Sequence, residues 1–193
     1  MLWAFANGLD HSPVSHTYSH RIIKTIGNST TTPRDLVTDT DIKIILYILS
    51  ESVAERMRRE HFYCRSVQIS IRDNTLTSYE RQGQLPIPTC TAQAIFEKAI
   101  TLYQNNRPAN PVRSLGVRAC KLSYMEYRQL SFLDATVKDQ RQEDLERCID
   151  KIRQRYGHYS IQRGIMLIDK SLSHLDPIAE HTIYPEAFLK SQT

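Results

Sequence analysis

Apolar residues recur along this chain with two different periods, and the changes between them mark out its elements. From Thr38 onward, Ile42, Ile45, Leu46, Leu49, Val53 and Met57 follow one another at steps of three and four. That spacing is the stripe of an amphipathic helix. Thr38, Asp39, Thr40 and Asp41 supply an N-cap and first-turn acids, and the basic end ERMRRE suits the negative pole of the helix dipole. In CRSVQISIRD (64–73) the period drops to two: Val67, Ile69 and Ile71 alternate with Ser66, Gln68, Ser70 and Arg72. Asp73 and Asn74 form a turn, LTSYERQ (76–82) returns as an antiparallel strand, and Pro86 and Pro88 close the unit. A second helix spans Thr91–Gln104, burying Ala94, Ile95, Ala99, Ile100 and either Leu102 or Tyr103. VRSLGVRACKL (112–122) is a final strand, with Leu115, Val117 and Ala119 inward and Ser114, Gly116, Arg118 and Cys120 outward.

Ahead of the first helix, HRIIKTIG (20–27) is β-branched enough for a strand, and NSTTTPRD then runs without an apolar residue until Leu36. The latter reads as a solvated loop. The order strand–helix–strand–strand–helix–strand predicts an α+β fold, the ferredoxin-like βαββαβ unit: a four-stranded antiparallel sheet with both helices on one face. Residues 1–19 read as a separate region and linker, 20–123 as the sheet domain and 124–193 as a C-terminal extension. Within the extension SYMEYRQLSFLDATVKDQ reads as a linker. Glu143–Tyr156 is helical with Leu145, Ile149, Ile152 and Tyr156 on one stripe, HYSIQRGIML adds a short strand or turn, and 171–193 form a loose tail.

Composition narrows the function classes. In 193 residues, 40% hydrophobic and 24% charged, no apolar run approaches the length of a membrane helix. No secretory signal opens the chain, so the cytosol is the expected compartment. Cys64, Cys90, Cys120 and Cys148 are too scattered for a zinc site, and His11, His16 and His20 recur with no acidic or thiolate partner. No metal is expected in this chain. The net charge of +4 is uneven: residues 1–123 hold 15 Lys/Arg against 10 Asp/Glu (+5), and residues 124–193 hold 10 against 11 (−1). An anionic partner is therefore expected on the sheet domain.

The sheet face away from the helices carries Ser66, Gln68, Ser70, Arg72, Ser114 and Arg118, with acids scarce. Base stacking needs aromatic rings there, and only Tyr79 offers one, so a single-strand RNA platform is disfavoured. Hydroxyl, amide and guanidinium groups instead suit phosphates and sugars. In KTIGNSTTTPRD, a lone Gly27 excludes a P-loop. Ser29, Thr30, Thr31 and Thr32, beside Lys24 and Arg34, could still grip a phosphate backbone.

KTIGNSTTTPRD, PVRSLGVRACKL and IDKIRQRYGHYSIQRG together resemble the C-terminal part of Y-family translesion DNA polymerases of the UmuC/DinB (ImpB/MucB/SamB) type. LWAFANGLD resembles the end of their thumb. The resemblance implies the little-finger domain, a DNA-binding piece that acts in lesion bypass and DNA repair. The family's polymerase chemistry uses palm carboxylates that hold two metal ions. No such acids are evident here, so the chain alone is not expected to copy DNA. No cofactor is expected, and Mg2+ belongs to the palm of the parent enzyme. Carried over residue by residue, the resemblance implies sequence-independent contacts to double-stranded or primer-template DNA from Lys24, Thr25, Ser29, Thr30 and Thr31. It further implies Gln68, Ser70 and Arg72, then Ser78 and Arg81, then Arg113, Ser114 and Arg118. Arg58, Arg59 and Arg107 read as surface charge, and Arg56 lies too near the helix stripe to assign.

QLSFLD (129–134) resembles the peptide with which these polymerases bind the bacterial sliding clamp. Gln129 would sit at the pocket rim, with Leu130, Phe132 and Leu133 in the groove; the order Phe132-Leu133 is reversed from the usual one. The other reading packs these apolar residues on the helix at 143–156. Two other classes share the topology: a small-molecule regulatory domain binding at a helix–strand edge, and a protein adaptor.

Overall fold

The computed structural model describes residues 2–9, 23–124 and 134–175. Its elements are α1 (Leu2–Ala6), β1 (Thr25–Leu36), α2 (Asp39–Arg59), β2 (Phe62–Asp73), β3 (Ser78–Thr89), α3 (Ala92–Asn105), β4 (Val112–Tyr124), α4 (Asp134–Tyr156) and α5 (Lys170–Ser173). Two 3-10 turns, His158–Ser160 and Gly164–Leu167, fill the stretch expected to give a strand or turn.

The expected α+β fold is present. All strand pairings are antiparallel and the sheet order is β1-β4-β2-β3, so each βαβ unit has a strand of the other between its own two. β4 and β2 are thus the inner strands. The register pairs Val67 with Ala119, Ile69 with Val117 and Ile71 with Leu115, so both inner strands send apolar rows to the same side. There α2 contributes Ile42, Ile45, Leu46, Leu49, Val53 and Met57, and α3 contributes Ile95, Phe96, Ala99 and Tyr103, all buried. Each such aliphatic side chain contributes about 1.5–3 kcal/mol by leaving water.

Local chemistry sets the element ends. The Thr38 hydroxyl accepts from the Asp41 amide, while the Asp41 carboxylate accepts from the amide of Thr38, a complete capping box at the start of α2. Thr91 caps α3 in the same sense through the Ala94 amide. Arg34 donates to both Asp41 oxygens and to Asp169, tying β1, α2 and the approach to α5 together.

Four expectations need correction. The polar stretch after Gly27 is not a loop: β1 starts at Thr25 and continues to Leu36. Its inward residues are polar but satisfied, since Asn28 donates to Ser52 and the Thr32 hydroxyl to the carbonyls of Arg34 and Arg113. β3 runs through Pro86 and Pro88 to Thr89, which an edge strand permits. α4 begins at Asp134, nine residues before Glu143.

The fourth correction concerns Arg58. The apolar stripe of α4 largely faces solvent, with Leu145 53%, Ile152 38% and Tyr156 66% exposed and Ile149 half-buried. α4 docks through charge instead. Glu146 and Asp150 converge on Arg58, at 2.5 and 2.7 Å, and Glu146 also accepts from the Ala92 and Gln93 amides at the start of α3. The Tyr63 hydroxyl donates to Glu143, and the Thr89 hydroxyl to Asp139. Arg58 is therefore a buried counter-ion rather than surface charge; Arg59 and Arg107 are exposed, beside Glu60 and Asp39. Arg56 donates to the Gly27 carbonyl, joining α2 to β1.

Candidate nucleic-acid interface

The sheet face opposite α2 and α3 is open among the described residues, and the register lays it out as four rows of four. Thr25, Cys120, Ser66 and Gln84 form the first row, and Gly27, Arg118, Gln68 and Gln82 the second. Ser29, Gly116, Ser70 and Glu80 form the third, and Thr31, Ser114, Arg72 and Ser78 the fourth. Alternation along each strand brings these residues to one face. Hydroxyls, amides and two guanidinium groups dominate it, with Glu80 as the one carboxylate of the sixteen.

The middle of this face is flat because of its glycines. A Cβ at Gly116 would collide with the Ser70 hydroxyl and come within 3.0 Å of the Ser29 Cβ. One at Gly27 would meet the Arg118 side chain at 3.0 Å. Glycine here lets a second backbone approach the sheet. Several polar groups are already engaged: Gln68 donates to Glu80, Gln82 to the Ser66 hydroxyl, and Ser114 to the Thr30 carbonyl. Arg118 and Arg72 are exposed and have no carboxylate within salt-bridge distance among the described residues.

Of the residues singled out from sequence, Thr25, Ser29, Thr31, Gln68, Ser70, Arg72, Ser78, Ser114 and Arg118 share this face. Lys24 is exposed one residue before it. Three others do not reach it. Thr30 is buried on the helix side of β1. Arg81 pairs with Ile69 on the covered side, where its guanidinium donates to Asn106 and lies 5.1 Å from the Tyr79 ring. Tyr79 turns the same way and donates to the Asn106 carbonyl, so the open face has no aromatic ring. Arg113 alternates with Ser114 and stands 3.5 Å from Asp35. Gln129, Leu130, Phe132 and Leu133 lie outside the described residues.

Two basic residues were missed. Arg65 and Lys121 are exposed on the inner strands β2 and β4, and neither has a carboxylate partner among the described residues. Their charge sat in the sequence, but the simple alternation of each strand placed them inward. Near them, Cys64 is buried and its thiol is pushed up to about 12, chiefly by burial; that makes it a packing residue rather than a nucleophile. The described residues hold no cluster of three or more His, Cys, Asp or Glu that could bind a metal.

Residues 23–132 match the family model described as the impB/mucB/samB family C-terminal domain. That match spans more than half of the sequence. The chain belongs to the impB/mucB/samB family. Its curated relatives include DNA polymerase IV of Acetivibrio thermocellus, 43% identical over 176 residues, which is 90% of this chain and 44% of the relative. DNA polymerase IV 2 of Bacillus subtilis is 35% identical over 171 residues, 86% of this chain and 40% of the relative. DNA polymerase IV of Clostridium acetobutylicum is 32% identical over 167 residues, with shares of 86% and 41%. The chain thus spans less than half the length of these relatives. Of the stretches that suggested the resemblance, KTIGNSTTTPRD lies on β1, PVRSLGVRACKL on β4 and IDKIRQRYGHYSIQRG on the end of α4 and the turn after it.

Proposed function

We propose that this chain grips duplex DNA through the open face of its little-finger sheet, holding the phosphate backbone without reading sequence while a Y-family polymerase crosses a lesion. The observation that carries this reading is the flat grid of hydroxyl, amide and guanidinium groups on β1, β4 and β2, centred on Gly116. Such groups position a backbone, whereas base readout needs a helix or ribbon in a groove and stacking needs rings. The lone Glu80 and the few cations point to a moderate grip suited to a protein that must move along its track.

Polymerisation is assigned to the remainder of the longer relatives, where Mg2+ would act, so this chain alone extends no primer. The peptide Gln129–Leu133 is proposed, on its sequence, to hold the sliding clamp. Titration of the chain against a bacterial clamp tests that contact, and heat-silent mixing removes it.

Fluorescence anisotropy with two unrelated duplexes over a range of KCl tests the main reading. Contact with four to six phosphates gives a slope of log affinity on log salt of about −4 to −5, shared by both sequences. Binding that ignores salt, or that requires one of the two sequences, overturns it.

A further inference from the structure

Asp139, Glu143, Glu146 and Asp150 turn one side of α4 onto the domain. On the opposite side Arg141, Leu145, Cys148, Ile152 and Tyr156 follow one another at steps of three and four, and all of them are exposed. The row runs along about 22 Å of helix. Covering it removes Leu145, Ile152 and the Tyr156 ring from water, a driving force that the described residues of the chain leave unused.

The row is self-complementary. Its centre falls just after Cys148: Leu145 and Ile152 stand equally far on either side, and beyond them so do Arg141 and Tyr156. A second α4 laid antiparallel about a two-fold axis at that centre sets Leu145 against Ile152 of the second copy. It also sets Arg141 against the Tyr156 ring of the second copy at both ends, a cation facing an aromatic. Such a patch, in which each position meets the counterpart that its own partner requires, is what an isologous contact needs.

Charge fits the same register. Asp144, Lys151 and Arg155 are exposed and, seven and four residues apart, share one shoulder of the row. About this axis each shoulder meets the same shoulder of the other copy. Asp144 then falls midway between Lys151 and Arg155 of the second copy. Within its own chain Asp144 accepts from the Gln140 amide and Arg155 lies over the Tyr156 ring, but neither Lys151 nor Arg155 has a carboxylate partner among the described residues. We infer that the outer face of α4 is a homodimer interface, closed by a second copy of this chain in antiparallel register about Cys148. No residue of the open sheet face takes part, so the inference goes beyond the DNA reading and is tested separately from it. One helix face is smaller than a standard interface, so the association is of the weak, micromolar kind.

The test is sedimentation equilibrium of the full chain, without DNA and in reducing buffer, from about 5 to 500 µM, which brackets micromolar association. The mass is expected to rise from one chain to two. Asp144→Lys and, separately, Lys151→Glu/Arg155→Glu each leave the shoulder with charges of one sign. Either variant is expected to weaken association by roughly tenfold or more, as like charges facing across an interface do. Mixing the two variants in equal amounts is expected to restore it, because every shoulder then meets its opposite, a rescue that misfolded chains do not give. Cys148 is exposed while Cys64, Cys90 and Cys120 are buried, so a short bismaleimide should couple two chains through Cys148, and Cys148→Ser should abolish the product. A single-chain mass at every concentration overturns the inference and leaves the DNA reading standing. Association that the charge reversals leave unchanged, or a mixture as weak as its components, overturns it equally.

Discussion

The sheet domain and α4 are held by opposite kinds of chemistry. α2 and α3 lie on the sheet through aliphatic side chains that are almost wholly buried, and their polar faces look outward. α4 presents Asp139, Glu143, Glu146 and Asp150 to the domain and leaves Leu145, Ile152 and Tyr156 in solvent. Apolar burial is non-directional and tolerates small shifts, whereas a guanidinium between two carboxylates fixes one geometry. The sheet is therefore stabilised broadly, and α4 is positioned at a few points. The same polar attachment lets α4 carry an apolar stripe on its free side.

The sharpest way to break this comparison is Arg58→Ala. It leaves Glu146 and Asp150 without their buried counter-ion, and loss of one partner of a buried pair costs about 3–5 kcal/mol. Urea unfolding followed by circular dichroism should find it, with the region of α4 losing amide protection before the sheet does. A cost below about 1 kcal/mol would mean that α4 is held by something other than this pair. Leu46→Ala, in the apolar layer, should cost about 2–5 kcal/mol and unfold sheet and helices together. Its cost should be nearly the same at low and high salt.

Acid sharpens the contrast next. The Arg34 guanidinium beside Asp41 holds that carboxyl well below its usual range, and its hydrogen bond to Asp169 lowers that carboxyl too. The Thr75 hydroxyl and its neighbours lower Asp73. A depressed carboxyl contributes stability that is present above its unfolded value and is lost as pH falls through the folded one. The melting temperature should therefore hold from neutral pH down to about 4 and decline steadily below it. Arg34→Gln should flatten that decline. Near α4 the sign reverses at Glu55, whose carboxyl is raised by burial and then by Asp150. Glu55→Gln should therefore raise the melting temperature slightly at neutral pH, with the gain vanishing in acid.

The smallest effect is the most discriminating. Leu145→Gln with Ile152→Gln should alter stability by less than about 0.5 kcal/mol per site, as surface changes do. A loss of several kcal/mol would restore the packing that periodicity suggests for this helix.

Legibility followed the same division. Wherever apolar and polar residues alternate cleanly, as at Val67, Ile69 and Ile71 or along α2, the strand or helix and its buried side could be read directly. β1 hid because both of its faces are polar: Asn28, Thr30 and Thr32 point inward and are satisfied by hydrogen bonds that composition does not announce. Arg58 and Glu146 hid because their burial depends on a partner 88 positions away. Some of the binding face could have been refined from sequence alone. Ser78 and Arg81 stand three apart, and Arg113 and Ser114 are adjacent, so neither pair can share one face of a regular strand. Arg65 and Lys121 lie beyond such reasoning: the β2–β3 register shifts between Cys64 and Ser66, and the Lys121 backbone is left-handed.

The central claim is that the open sheet face, and not the helical side, meets DNA. Amide chemical-shift mapping of the isotope-labelled chain titrated with a short duplex tests it most directly. Shifts are expected at Thr25, Ser29, Ser70, Gly116 and Arg118, with the exposed surfaces of α2, α3 and α4 unmoved. Shifts confined to the helices, with the sheet residues silent, would contradict it.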